Sequence, residues 1–439
     1  MTNKYKLPFS GEEIVEKLNK INTLAEKIEE TKASIGDIKE TIRTDLGKEW
    51  VLCNGDIIPE GTFPALREVL PYNTDWRRLP PGSEAYTVVR PMPVEGQWLF
   101  MKANINSYQL SKNDKALLYD ENTNTYTTIT MPTIAVTTGY TMSRGIFGLT
   151  HDGEKYILGI NVKLTKEENS VNTYYAYFYV SSDLENWTEL LNYNISEYHA
   201  AYDMTYNGTS VIFIADYSNS NGDSVARVYF LDIAAKKVTV DGSSYSSSEY
   251  RRYFQPVPNP YWCVRSDDAE STSIRKGTAS GSVFSFGTNA KIAFFSDRFW
   301  IGYPGTRTYI ADLTTETTTS FMLDILVDGD SVNLSNIVYD SNTREWCLHL
   351  SEFVSGVSSY YKYWLAYISE DADPRESSNY RVIAVNELPS DAGATQMTPN
   401  RTRFKNNSTT ARYIKNPNIK CLPTHSGDTY KYIYLGNNE

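Results

Sequence analysis

Residues Ile146–Ile160, IFGLTHDGEKYILGI, read as an apolar strand, a polar turn at His151-Asp152-Gly153-Glu154 and a second apolar strand. Alternating apolar residues on either side of turn-forming ones are what a β-hairpin requires. The pattern returns at Met204–Ala215 around Asn207-Gly208-Thr209, at Ile292–Tyr303 around Ser296-Asp297-Arg298, and at Ile337–Leu350 around Asp340-Ser341-Asn342-Thr343. Gln97–Met101, after Glu95-Gly96, fits the second strand of another. A second hairpin follows each first one: Lys115–Ile129 turning at 120–124, Tyr174–Leu191 at 181–186, Val225–Val240 at 232–236, Thr308–Phe321 at 312–315, and Tyr361–Val385 more loosely. Two hairpins make a four-stranded antiparallel unit, the blade of a β-propeller.

Spacing agrees with this reading. Trp98, Tyr156, Val211, Trp300 and Trp346 align with steps of 58, 55, 89 and 46 residues, and the longest step is close to two blades. Ser243–Gly287, with Tyr250-Arg251-Arg252-Tyr253-Phe254 and Tyr261-Trp262-Cys263-Val264, supplies a divergent extra blade. The expectation is a propeller of about six four-stranded blades over residues 85–404; five or seven blades, a β-sandwich and a β-helix are the alternatives. Ser182-Asp183-Leu184-Glu185-Asn186-Trp187-Thr188 resembles the Asp-box of sialidase-like propellers, with the usual glycine replaced and the tryptophan one place early. That resemblance implies a structural turn and says little about catalysis.

Upstream, Trp50–Leu70, WVLCNGDIIPEGTFPALREVL, reads as a short strand, an Asn54-Gly55-Asp56 turn and a short helix opening at Phe63-Pro64-Ala65-Leu66. The Trp-x-Leu-Cys-Asn-Gly strand followed by Thr-Phe-Pro-Ala-Leu resembles the opening of the phage tail-collar domain, a small module of trimeric tail-fibre proteins. The family's Leu-Pro element and closing strand have a weak counterpart at Arg78-Leu79-Pro80. A better one lies at Cys421-Leu422-Pro423 before Tyr430–Leu435. The resemblance covers about a tenth of the chain and implies one collar-like module, 48–84 with 405–439, split by a large insertion.

Residues 1–47 read as an N-terminal anchor and helix. Ser10 and Glu13 suit a capping box, and Ile14, Ile21, Ile28, Ile35 and Ile42 recur at a seven-residue interval. Holding that interval over four heptads implies winding around a partner, so the expectation is a parallel, trimeric coiled coil. A single amphipathic helix is the alternative. The second seam is poor and Gly36 weakens the last turns by roughly 1 kcal/mol.

Composition sets limits. A chain of 439 residues, 41% hydrophobic and 13% aromatic, has material for two or three units. Its 34 tyrosines suit strands, and also glycan- or protein-binding surfaces. A net charge of −11 repels a phosphate backbone, so nucleic acid is not an expected partner. No run approaches the roughly 20 apolar residues of a membrane span, and Met1–Ser10 has no signal-peptide core, so a soluble product made in the host cytoplasm is expected. Cys53, Cys263, Cys347 and Cys421 form no C-x-x-C pair and are read as buried free thiols.

No phosphate loop, no nucleophile elbow and no metal-ligand spacing is present, and His151, His199, His349 and His425 are isolated and read as surface residues. No catalytic residue, metal or cofactor is therefore assigned. Arg251 and Arg252, Arg265 and Arg275, or Arg298 and Arg307 are the pairs a sialidase-like site would draw on, without a recognisable spacing. Tyr250, Arg251, Arg252 and Tyr253 are the binding candidates, since aromatic and arginine side chains in a loop-rich segment suit sugar stacking and hydrogen bonding. The expected role is a structural phage virion protein, a tail or head fibre acting as a trimeric receptor-binding adhesin. Its expected partners are other virion proteins or host-surface polysaccharide. A capsule-degrading or sialidase-like glycoside hydrolase on the same scaffold is the alternative.

Overall fold

The computed structural model describes residues 11–30, 37–41, 50–53, 58, 63–70, 77–83, 85–86, 88–102, 113–195, 200–218, 224–245, 253–255, 257–265, 271–278, 281–288, 290–340, 343–389, 403–407, 411–415, 422 and 430–435. The chain divides into two compact units, one of Met1–Pro71 with Lys420–Glu439, the other of Tyr72–Ile419.

Among the described residues the larger unit contains six four-stranded antiparallel sheets, each pairing its strands in chain order. They occupy 88–130, 140–194, 201–245, 253–288, 291–322 and 332–385, and are called here the first to sixth sheets. A seventh, three-stranded sheet joins Arg403–Asn407 and Ala411–Lys415 to Arg77–Arg78, so the start and end of the unit share one sheet. The architecture is propeller-like. Among the described residues the unit holds the six four-stranded sheets and this three-stranded seventh, and residues 77–83, 405–407 and 411–415 lie in the larger unit. The 89-residue step is accounted for by Tyr261–Arg265, the second strand of the fourth sheet.

Period-two alternation gives each sheet two apolar faces. In the second sheet Phe147, Ile157 and Phe178 pack on Met204 and Phe213 of the third, whereas Ile146, Leu158 and Ile160 pack on Leu99 and Leu118 of the first. The same interleaving joins third to fourth, fourth to fifth and fifth to sixth sheets. Phe404 of the seventh sheet sets its ring edge-on against Trp98 and Phe100 of the first. Trp98, Trp262, Trp300 and Trp346, each the second residue of a second strand, are fully buried.

The first strands of the first, third and fourth sheets meet. Arg90, on the first strand of the first sheet, reaches Asp203 on the first strand of the third at 2.9 Å, and the Phe254 N–H of the fourth donates to the same carboxylate at 3.0 Å. Contact that skips the intervening second sheet is available only to strands at the hub.

Turns at one end of the strands are held by short polar side chains accepting backbone N–H groups. Asp152 Oδ1 accepts from Glu154 and Lys155, Asn207 Oδ1 from Thr209 and Ser210, and Asp312 Oδ1 from Thr314. The Ser181–Trp187 turn is built alike: Asp183 Oδ1 accepts from the Glu185 and Asn186 N–H groups at 3.0 and 2.8 Å. Those bonds, led by the Asn186 side chain, hold the Asp183 carboxyl far below the usual range.

In the small unit, Tyr430–Tyr434 lies between Ile38–Thr41 and Trp50–Leu52 in a three-stranded sheet. Cys53, Ile58, Leu66, Leu70, Leu422, Ile433 and Leu435 form its core, with Leu66 supplied by the helix Pro64–Val69. The expected N-terminal coiled coil is corrected. The described helix spans Gly11–Glu30, and Ile38–Thr41 is a strand paired with Tyr430–Ile433, so the isoleucine comb does not run along one helix to residue 42. A strand's backbone bonds to a neighbour compete with helix where Gly36 already weakens it. Ile14, Ile21 and Ile28 lie on the helix, Ile21 exposed, while Ile35 and Ile42 lie outside the described residues.

Candidate functional site

In an antiparallel meander the first-to-second and third-to-fourth turns fall at the same strand end. On that end, turns from the fourth, fifth and sixth sheets enclose a cleft of about 640 Å³, a volume within the roughly 300–1,000 Å³ range of small-molecule sites. Asn259 and Tyr261 come from the fourth sheet, Ser296 and Asp297 from the fifth, and Arg344 with Glu370 and Asp371 from the sixth.

Its floor is rigid. Phe295 is fully buried, stacks on Trp346 at 5.8 Å, and its carbonyl accepts the Trp346 indole N–H at 2.8 Å. The Tyr261 ring meets Trp300 edge-on at 5.3 Å, and its hydroxyl donates to Glu316 at 2.9 Å. Lys276 reaches the same Glu316 oxygen at 2.7 Å and lies over the Tyr261 ring. Burial pushes the Tyr261 phenol up, helped by the carboxylate, and Lys276 followed by Tyr261 draws Glu316 down. Tyr261 is therefore a fixed ring in the cleft lining, with Lys276 over one face and the other left for a ligand.

The charged wall is unevenly matched. Arg344 pairs with Glu370 and, at 3.3 Å, with Asp371; Glu370 also accepts from the Tyr339 hydroxyl. Beside the cleft, Arg298 makes a bidentate pair with the buried Asp312 at 3.1 and 2.7 Å, and Arg375 bridges Asp312 and Asp373. Asp297 is exposed and makes no hydrogen bond or ion pair among the described residues. Concavity, a fixed aromatic face and hydrogen-bonding groups suit this arrangement to binding a polar ligand.

Tyr250, Arg251 and Arg252 lie outside the described residues. Tyr253 opens the first strand of the fourth sheet and pairs with Arg265, which places it at the strand end opposite Pro258-Asn259 and away from the cleft. The arginines considered for a sialidase-like cluster are dispersed: Arg275 is tied to Asp241 at 2.6 Å and lies over Trp262, Arg298 is tied to Asp312, and Arg307 donates to Ser320. His349, expected at the surface, is buried in the sixth sheet, whereas His151 sits at its turn with Nδ1 accepting the Gly153 N–H. Among the described residues no group of three or more His, Cys, Asp or Glu side chains is placed to hold a metal ion, and no helix is long and apolar enough to cross a membrane. Cys53, Cys263 and Cys347 are buried free thiols.

No family model matches the chain, and no curated protein matches it in sequence. Among solved structures it is similar to a chain of the Mitotic Checkpoint Complex, with 8% identity, 78% of this chain and 95% of that chain covered, and a TM-score of 0.36. It is also similar to a eukaryotic initiation factor, with 8% identity, 82% and 92% coverage and a TM-score of 0.36. A third is the Synechocystis apocarotenoid oxygenase, with 8% identity, 68% and 71% coverage and a TM-score of 0.30. Likeness at such scores says nothing about activity.

The cleft residues were missed in the sequence because they lie in turns of differing composition. A signal was present all the same. Asn259 and Asp297 each stand three places before a buried tryptophan, Trp262 and Trp300, and Arg344 stands two before Trp346. Aligning the hairpins on those tryptophans brings the three turns to one rim.

Proposed function

We propose that this protein is a structural component of a bacteriophage particle, a tail or head appendage whose propeller-like unit contacts host-surface glycan or another virion protein. One observation carries this reading. Residues 50–53 and 430–435, nearly four hundred positions apart, share one sheet and one core through Val51, Cys53, Ile433 and Leu435. The larger unit is thus inserted between the halves of a small module, and that module's sequence resembles the phage tail-collar domain. The same resemblance implies three copies per assembly. A shallow site is adequate in such a setting, because tethered copies raise the effective concentration of one another's contacts.

Antibody raised against the purified chain tests the assignment. Gold label is expected on a tail or head appendage of particles purified from the lysate in which the chain is made. Its absence from those particles, with the chain wholly in the soluble fraction, removes the virion reading. Sedimentation of the purified full chain tests the copy number, with a trimer expected.

A further inference from the structure

We infer that the cleft between the fourth, fifth and sixth sheets is a subsite for an amine-bearing sugar, with Asp297 receiving the ammonium group and the Tyr261 ring receiving a face of the sugar.

Charge leads to the ammonium. Asp297, Glu370 and Asp371 line the cleft against the single cation Arg344, and that guanidinium is already engaged by Glu370 and Asp371. The flanking charges cancel: Lys276 answers Glu316, and Arg298 with Arg375 answers Asp312 with Asp373. Two negative charges are left over, and Asp297 is the carboxylate with no partner among the described residues. A negative concavity attracts cations and disfavours anions, so a sialic acid or a phosphorylated glycan is the wrong ligand here.

The sugar frame follows from the remaining lining. Tyr261 is fixed by Glu316, Lys276 and Trp300, so presenting the ring face that Lys276 does not cover costs little side-chain entropy. Ser296 uses its oxygen to accept N–H groups from Arg298 and Phe299 at 3.3 and 3.1 Å, which leaves its hydroxyl proton to donate. Asn259, exposed at the rim, supplies both a donor and an acceptor. An aromatic face flanked by hydroxyl, amide and carboxylate groups matches a pyranose with an amino substituent.

Titration calorimetry on the full chain at low ionic strength tests this with three probes: a β-1,4-linked glucosamine tetramer, its N-acetylated counterpart and trilysine. The glucosamine tetramer is expected to bind, with affinity falling as salt is raised. The N-acetylated tetramer, which lacks the positive charge, and the Asp297→Asn variant with glucosamine should each bind at least about tenfold more weakly, as loss of one charge-assisted hydrogen bond implies. Equal binding of the two sugars, indifference to Asp297→Asn, or no binding of glucosamine overturns the ammonium subsite. Trilysine binding as well as glucosamine overturns the sugar frame. This ligand class deepens the adhesin reading and rests on it, yet the two fail separately. A particle-borne protein that ignores glucosamine loses only the ligand, and a glucosamine binder absent from particles loses only the virion role.

Discussion

Arg90 and Asp203 form an ion pair at the hub of the propeller-like unit, with Arg90 Nε 2.9 Å from Asp203 Oδ2 and both side chains largely buried, 12% and 2% exposed. Asp203 also accepts the Phe254 and Met204 N–H groups, so one carboxylate ties the first, third and fourth sheets together. Asp203→Ala removes the carboxylate that the buried Arg90 guanidinium and two backbone donors share. A loss of about 3–5 kcal/mol in unfolding free energy is expected by denaturant titration. The double variant Arg90→Met with Asp203→Leu should recover most of it, because it removes the buried charge together with the carboxylate.

A second prediction concerns the close approach of the fourth and fifth sheets. A Cβ on Gly302 would lie 2.3 Å from the ring of Phe286, which is fully buried and has no room to withdraw. Gly302→Ala should cost about 1–3 kcal/mol through overpacking. Gly356→Ala, in a turn where an added Cβ meets nothing within 4 Å, should leave the melting temperature unchanged.

The contrast between these sites shows what was legible in sequence. Hairpins such as Ile146–Ile160 announce themselves because period-two alternation and turn residues are local properties, and the strands Tyr140–His151 and Tyr156–Lys166 pair across that turn. The fourth sheet is legible only as a region, Ser243–Gly287, since its first strand, Tyr253–Gln255, is three residues long. The seventh was missed because it pairs Arg77–Arg78 with Ala411–Lys415, and neither segment carries a repeat signature. The isoleucine comb misled for the opposite reason. Its spacing is local and regular, but Ile38–Thr41 is claimed by a partner strand far away in sequence. Arg90 and Asp203 cannot be paired from sequence, since only the meeting of the first strands of the first and third sheets brings them together.

Leu66 anchors the small unit, fully buried among Cys53, Ile58, Leu422 and Ile433. Leu66→Ala is expected to destabilise this unit by about 2–5 kcal/mol, the range for emptying a buried leucine site. Cys53 provides the local readout: its thiol is buried and burial pushes its pKa up, so it reacts slowly while the core is intact. Leu66→Ala should speed labelling of Cys53 by a thiol reagent and leave Cys263 and Cys347, buried in the larger unit, protected.

Asp312 gives a pH signature. Hydrogen bonding from Arg298, then the Thr314 N–H, holds its carboxyl down at about 2 against an ordinary value of 3.8. A carboxyl whose folded-state pKa is depressed adds stability that is complete above its unfolded value and is lost as pH falls through its folded one. The advantage of the native chain over Asp312→Asn in melting temperature should therefore be constant above about pH 4, shrink toward pH 2, and vanish below it. Arg298→Gln removes the leading cause, so the Asp312 carboxyl resonance should titrate nearer 3.8 in that variant and the window should narrow. The native chain titrating at 3.8 would mean that the Arg298–Asp312 pair, whose arginine is half exposed, is not held together in solution.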